Sequence, residues 1–204
     1  MLFDDTYRTL KINSEGVYRD KGSKFIGYAY PIQNEAQVKP ILNSLRAEHP
    51  KARHFCWAFR LTPDRSIFRI NDDGEPSGTA GRPILNSLLS ADVTNVLVVV
   101  VRYFGGTLLG VPGLINAYKS ASIEALKANE IISKTVNDTY ELSFDYLVMN
   151  DVMSVIKEEQ LLILNQEFDN NCVIKLEVRK GQLNSVLSKF EKIEGLEMKY
   201  LQTS

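Results

Sequence analysis

The chain has 204 residues, 44% of them hydrophobic and 24% charged, with a formal charge of −1. That is the composition of an ordinary folded protein, and it excludes a strongly basic duplex binder and a disulfide scaffold, since Cys56 and Cys172 lie far apart. There is no apolar run long enough to span a membrane, and the acidic opening "MLFDDTYRTL" lacks the basic, then apolar, pattern of a secretory leader. A cytoplasmic location with no membrane partner is expected.

The charge is uneven. Residues 1–133 carry 16 basic and 13 acidic side chains, whereas residues 134–204 carry 8 and 12. The change of sign near "ISKTVND" suggests two domains, 1–133 and 134–204.

In the first half, "SKFIGYAYPI" (23–32) alternates as a strand. The segment after Asn34 reads as a helix with Val38, Ile41, Leu42 and Leu45 on one face. Pro40 implies a kink or a late start. "HFCWAFRL" (54–61) and "SIFRI" (66–70) read as a strand pair. "AGRPILNSLLSAD" offers Ile84, Leu85, Leu88 and Leu89 for a second helix. "NVLVVVVRYFGG" (95–106) is the most apolar strand and belongs in the centre of a sheet. "PGLINAYKSASIEALKAN" then gives a long helix with Pro112 in its first turn. One layer of helices on one sheet is expected.

The second half reads as strand, helix, two strands around "DNN", helix and strand. That order predicts a ferredoxin-like βαββαβ sandwich. The whole chain is therefore expected to be an α+β, two-domain protein.

"NDDGEPSGTAGRPI" (71–84) concentrates acid and glycine before a helix. Asp72, Asp73 and Glu75 have the oxygens of a hard-cation site, but adjacent loop acids need not converge. The structural alternative has Asp72 or Asp73 accepting backbone N–H groups, with Glu75 at the surface or paired to an arginine. Gly74 or Gly78 is expected at positive φ, and Thr79 is expected to cap the helix. The loop is expected beside "YFGG". Backbone amides around Gly105, Gly106 and Gly110, with Arg102 and Arg82, offer a generic anion cradle. No Walker A or GxGxxG pattern is present. His49, His54 and Cys56 match no zinc spacing, and Ser77 lacks a nucleophile-elbow context. No catalytic residue, metal or cofactor is assigned.

Together, "NDDGEPSGTAGRPIL" and "NVLVVVVRYFGGTLLGVPGLINAY", with "GSKFIGYAYP" and "HPKARHFCWAF" upstream, resemble the YigZ/IMPACT family over about residues 17–128. The second half resembles the smaller C-terminal domain of bacterial YigZ-type members. The resemblance implies an N-terminal domain similar to domain IV of elongation factor G and to a small-subunit ribosomal protein. It implies a C-terminal domain similar to domain V of that factor. It singles out Asp72, Asp73, Gly74, Glu75, Pro76 and Gly78–Gly81 in the acidic loop. At the strand exit it singles out Arg102–Gly106, Gly110 and Gly113, and upstream Lys24, His49, His54 and Cys56. The chain departs from the family at Leu108, Pro112 and Asn116, where a lysine, a glycine and a basic residue are usual. Arg82, Arg102 and Lys119 remain as the expected anion contacts.

The expected function is that of a non-enzymatic protein associated with RNA or the ribosome, acting on translation. The resemblance supplies the translational label. Six arginines from 53 to 102 and aromatics at 55, 57, 68, 103 and 104 supply phosphate and stacking groups. A protein-binding adaptor is the alternative, and a hydrolase acting on a small phosphorylated or peptide substrate is a further one.

Overall fold

The computed structural model describes residues 5–169 and 171–203. It contains two compact units. Tyr7–Lys134 form one, and Asp5 and Thr6 join the described part of 135–204 in the other.

The larger unit is built on an antiparallel five-stranded sheet. Its strands are β2 (Ser14–Asp20), β3 (Ser23–Pro31), β4 (His54–Leu61), β5 (Ile67–Asn71) and β6 (Val96–Tyr103), in the order β2-β3-β6-β4-β5. Seven of the eight β6 residues are buried, as expected of a central strand covered on both faces. Helices α2 (Gly81–Ala91) and α3 (Gly110–Lys127) cover one face. They seat Ile84, Leu88, Ala117 and Tyr118 against Phe25, Ala58, Val98 and Val100.

The expected single helix layer is wrong. Helix α1 (Val38–Glu48) covers the opposite face, where Val38 and Leu45 join Ile26, Tyr28, Phe59, Leu97 and Val99 in a second core. Both alternating faces of β3 and β6 are apolar, so one layer would leave half of those side chains in water. Pro40 marks a late start. The helix proper begins at Val38 after a 3₁₀ turn at Glu35–Gln37, so the proline sits in the first turn, where its missing N–H costs nothing.

Three strands were not expected. β2 is a polar edge strand whose Gly16 lies against the backbone of α3 at Glu124 and Ala125. The short strands β1 (Thr6–Leu10) and β7 (Ile131–Thr135) pair as a separate two-stranded sheet.

The smaller unit runs β8 (Asn137–Phe144), α4 (Met149–Glu158), β9 (Leu162–Phe168), β10 (Cys172–Arg179), α5 (Leu183–Phe190) and β11 (Glu197–Thr203). Its antiparallel order β11-β8-β10-β9 is that of a split βαβ sandwich. Leu142, Ile174, Leu176 and Val178 alternate inward beneath Val152, Ile156, Val186 and Phe190 of the helices. Residue 170, in the middle of the expected "DNN" turn, lies outside the described residues. No helix of the described residues is long and apolar enough to cross a membrane.

Candidate functional site

The acidic loop runs from the end of β5 into α2 and is held by three carboxylates with three separate tasks. Asp72 accepts from the backbone N–H of Gly78 at 2.9 Å, Ala80 at 3.0 Å and Gly81 at 2.8 Å. It therefore caps α2 from eight and nine residues upstream. The expected cap, Thr79, instead donates its hydroxyl to the Pro76 carbonyl at 2.6 Å. Ala80 occupies the cap position, and its methyl group offers no hydrogen-bond acceptor. Asp73 accepts from the Phe55 N–H at 2.7 Å and pairs with Arg46 at 3.1 Å. Its neighbour Gly74 lies at φ 86° and Gly78 at φ 78°, where a Cβ is disfavoured.

Glu75 turns inward. Its Oε1 meets Nη1 of Arg102 at 2.5 Å and accepts from the Tyr118 hydroxyl at 2.7 Å. The Arg102 guanidinium lies over the rings of Phe25, at 5.4 Å, and Phe104, at 5.6 Å. Cys56 reaches the same cluster, donating its thiol hydrogen to the Asp72 carbonyl at 3.0 Å, with its sulfur 3.4 Å from the Tyr118 oxygen. Burial pushes the Cys56 thiol and the Tyr118 phenol upward from their ordinary values. A buried thiol so held is not a nucleophile. The three acids thus point to different partners and not to one common centre.

The sequence treats Arg102 as an anion contact, but the structure gives its charge to Glu75. The other expected cations are dispersed. Lys24 pairs in register with Tyr103, one residue beyond the Phe25–Arg102 pair, so strand alternation places it on the opposite face from Arg102. Arg82 is exposed in the first turn of α2 and Lys119 is exposed on α3. The two histidines also separate. His49 is buried between the hydroxyls of Tyr28 and Tyr103, each at 2.8 Å. His54 Nδ1 lies 2.9 Å from the Asp73 carbonyl. That oxygen only accepts, so Nδ1 carries the hydrogen.

A cleft of about 530 Å³ opens where β4 begins and β6 ends. Lys51, Arg53 and His54 line it from the approach to β4, and Arg102, Tyr103, Phe104 and Leu108 from the exit of β6. Lys51 and Arg53 are exposed, and neither is in an ion pair of the described residues. Gly105, just after Phe104, packs against the backbone of Gly22 and donates its N–H to the Ser23 hydroxyl at 3.1 Å. Gly106 and Gly110, at φ 87° and 71°, shape the loop that carries Leu108. Sequence reasoning passed over Lys51 because it lies in an unremarkable turn. Its signal was proximity to His49 and His54 in "HPKARHF".

The sequence pattern of the Impact N-terminal domain matches residues 21–126, more than half of the chain, and that span includes every cleft-lining residue just described. The chain belongs to the IMPACT family. It is 34% identical to an IMPACT family member of Haemophilus influenzae over 178 residues, 86% of each chain. It is 35% identical to the IMPACT family member YigZ of Escherichia coli over 150 residues, covering 72% of this chain and 74% of that one. A crystal structure described as a hypothetical protein superposes with a TM-score of 0.72 at 28% identity, over 97% of this chain and 98% of that one. The acidic loop and the strand exit both fall inside the matched IMPACT segment.

Proposed function

We propose that this IMPACT family member is a translation-related regulatory protein that associates with RNA or the ribosome through the cleft at the β4–β6 end of the larger unit. One observation carries the reading. Among the described residues, Lys51 and Arg53 are in no ion pair and stand in one cleft with Tyr103 and an exposed Phe104, and no carboxylate lines that cleft. Cations hold phosphates and aromatic rings hold unpaired bases. Translation enters through the family. The expected likeness to domains IV and V of elongation factor G supports a ribosomal setting, with 1–133 as the contacting domain and 134–204 as a second module. A cytoplasmic location follows from that reading.

The test is filter binding of ribosomal RNA and of a short single-stranded RNA at two salt concentrations. The wild type retains both, more weakly at the higher salt. Lys51→Ala/Arg53→Ala weakens retention and flattens its salt dependence. Absence of retention by the wild type refutes the reading.

A protein-binding role has one observation in its favour. Leu108 is 83% exposed, and Val111 and Ile115 are exposed on the first turns of α3. Affinity capture after nuclease treatment separates such a partner from an RNA-bridged one.

A further inference from the structure

Phe104 is 56% exposed, yet it is not loosely held. The Arg102 guanidinium lies over its ring at 5.6 Å, and Arg102 is itself fixed by Glu75 at 2.5 Å and by the Phe25 ring. The backbone after Phe104 is pinned where Gly105 meets Gly22 and Ser23. A cation thus covers the ring on one side, while more than half of the side chain stays exposed to solvent. An exposed aromatic on a fixed backbone is a stacking platform whose ordering cost is met in the free protein. Lys51 and Arg53 supply positive charge in the same cleft, and its volume of about 530 Å³ falls in the range that encloses a molecule of nucleotide size.

We infer that this cleft holds one unstacked nucleotide of single-stranded RNA, with the base against the exposed ring of Phe104 and the backbone phosphate on Lys51 and Arg53. The inference rests on the RNA reading above and adds what that reading leaves open. A duplex offers phosphates but no free base face, so charge alone would not distinguish the two forms, whereas a stacking platform does. A peptide would also stack on Phe104, but Lys51 and Arg53, which are in no ion pair among the described residues, favour a ligand that carries its own negative charge.

The experiment is fluorescence anisotropy with a labelled ten-nucleotide single-stranded RNA and with the same strand in duplex form. It compares the wild type with Phe104→Ala and Lys51→Ala/Arg53→Ala, each checked for an unchanged melting temperature. All three side chains are exposed, so the folds are expected to survive. The single strand binds the wild type more tightly than the duplex. Phe104→Ala weakens single-strand binding roughly 5- to 150-fold and leaves the salt slope and duplex binding as they were. Lys51→Ala/Arg53→Ala lowers the single-strand salt slope by about 0.7 to 1.4. Salt-dependent binding that needs Lys51 and Arg53 but is indifferent to Phe104 and to strandedness overturns this inference and leaves the RNA reading intact. Failure of the wild type to bind either RNA overturns both. Saturable, Phe104-dependent binding of adenosine monophosphate without RNA binding overturns the chain ligand and the RNA reading together.

Discussion

Arg102 of the central strand and Glu75 of the acidic loop form an ion pair at 2.5 Å, with side chains only 7% and 4% exposed. Their distance in sequence conceals the relationship. Arg102 lies in a cross-strand row with Phe25 on β3 and His54 on β4, beneath the loop that carries Glu75. The pair ties the loop to the sheet and, through Arg102, sets the ring of Phe104.

Removing one partner of this pair is therefore costly. Glu75→Ala leaves a buried guanidinium uncompensated and removes the acceptor of the Tyr118 hydroxyl. A loss of about 3–5 kcal/mol is expected in urea unfolding. The double variant Glu75→Gln with Arg102→Met keeps an acceptor for Tyr118 and removes the stranded charge, so it unfolds later than Glu75→Ala. If Glu75→Ala is as stable as the double variant, the pair does not hold the loop.

Asp72 and Thr79 exchange the weights that their positions suggest. Asp72→Ala strands three N–H donors at the start of α2 and costs about 1–3 kcal/mol. Thr79→Val loses one hydroxyl bond to the Pro76 carbonyl and costs about 1 kcal/mol. Chemical denaturation of the two variants gives the order directly, and a larger loss at Thr79 would return the cap to that residue.

Two glycines respond differently to the same change. At Gly78, φ is 78° and a Cβ meets no atom of the described residues within 4 Å, so Gly78→Ala costs only the left-handed backbone penalty of about 1–2 kcal/mol. At Gly105 a Cβ collides with the backbone of Gly22 and Ser23. Gly105→Ala must separate the β2–β3 turn from the β6 exit. It is expected to lower the melting temperature more than Gly78→Ala and to weaken single-stranded RNA binding by moving Phe104. Equal melting temperatures would show that the close approach is not maintained in solution.

In the smaller unit, Asp5 accepts from Nε and Nη2 of Arg179 at 2.7 and 2.8 Å and from the Gly181 N–H at 2.8 Å. The Arg179 hydrogen bonds hold the Asp5 carboxyl below its ordinary value of 3.8. A carboxylate depressed on folding contributes stability above its unfolded value, and that contribution is lost as pH falls through the folded one. Asp5→Asn is therefore less stable than wild type at neutral pH, and the gap closes as pH falls below 3.8. Thermal melts across that range check the sign, and a gap that stays constant into acid would contradict it.

The sequence by itself determined the elements whose burial shows in local periodicity. The β-branched run at 96–101 announced a central strand, and the spacing of Leu114, Ala117, Tyr118 and Ala121 announced the helix that packs on it. The order of elements in the second half already specified a split βαβ sandwich, because hairpins and crossovers leave few ways to arrange six short pieces. The acid and glycine of "DDGEPSG" marked a shaping loop, since small backbone-bonding residues have few other uses at a strand end. Tertiary structure alone decided the rest. Periodicity tells which side of α1 is apolar, but not which face of the sheet receives it. A polar edge strand such as β2 packs Gly16 against a helix 109 residues away and so shows little apolar alternation. Arg102 read as a free cation because its carboxylate lies in another loop, and Thr79 read as the cap because capping is usually local. Lys51, Arg53 and Phe104 come from two turns that only the pairing of β4 with β6 brings to one cleft. Spacing along the chain cannot report that contact, because the register of the sheet creates it.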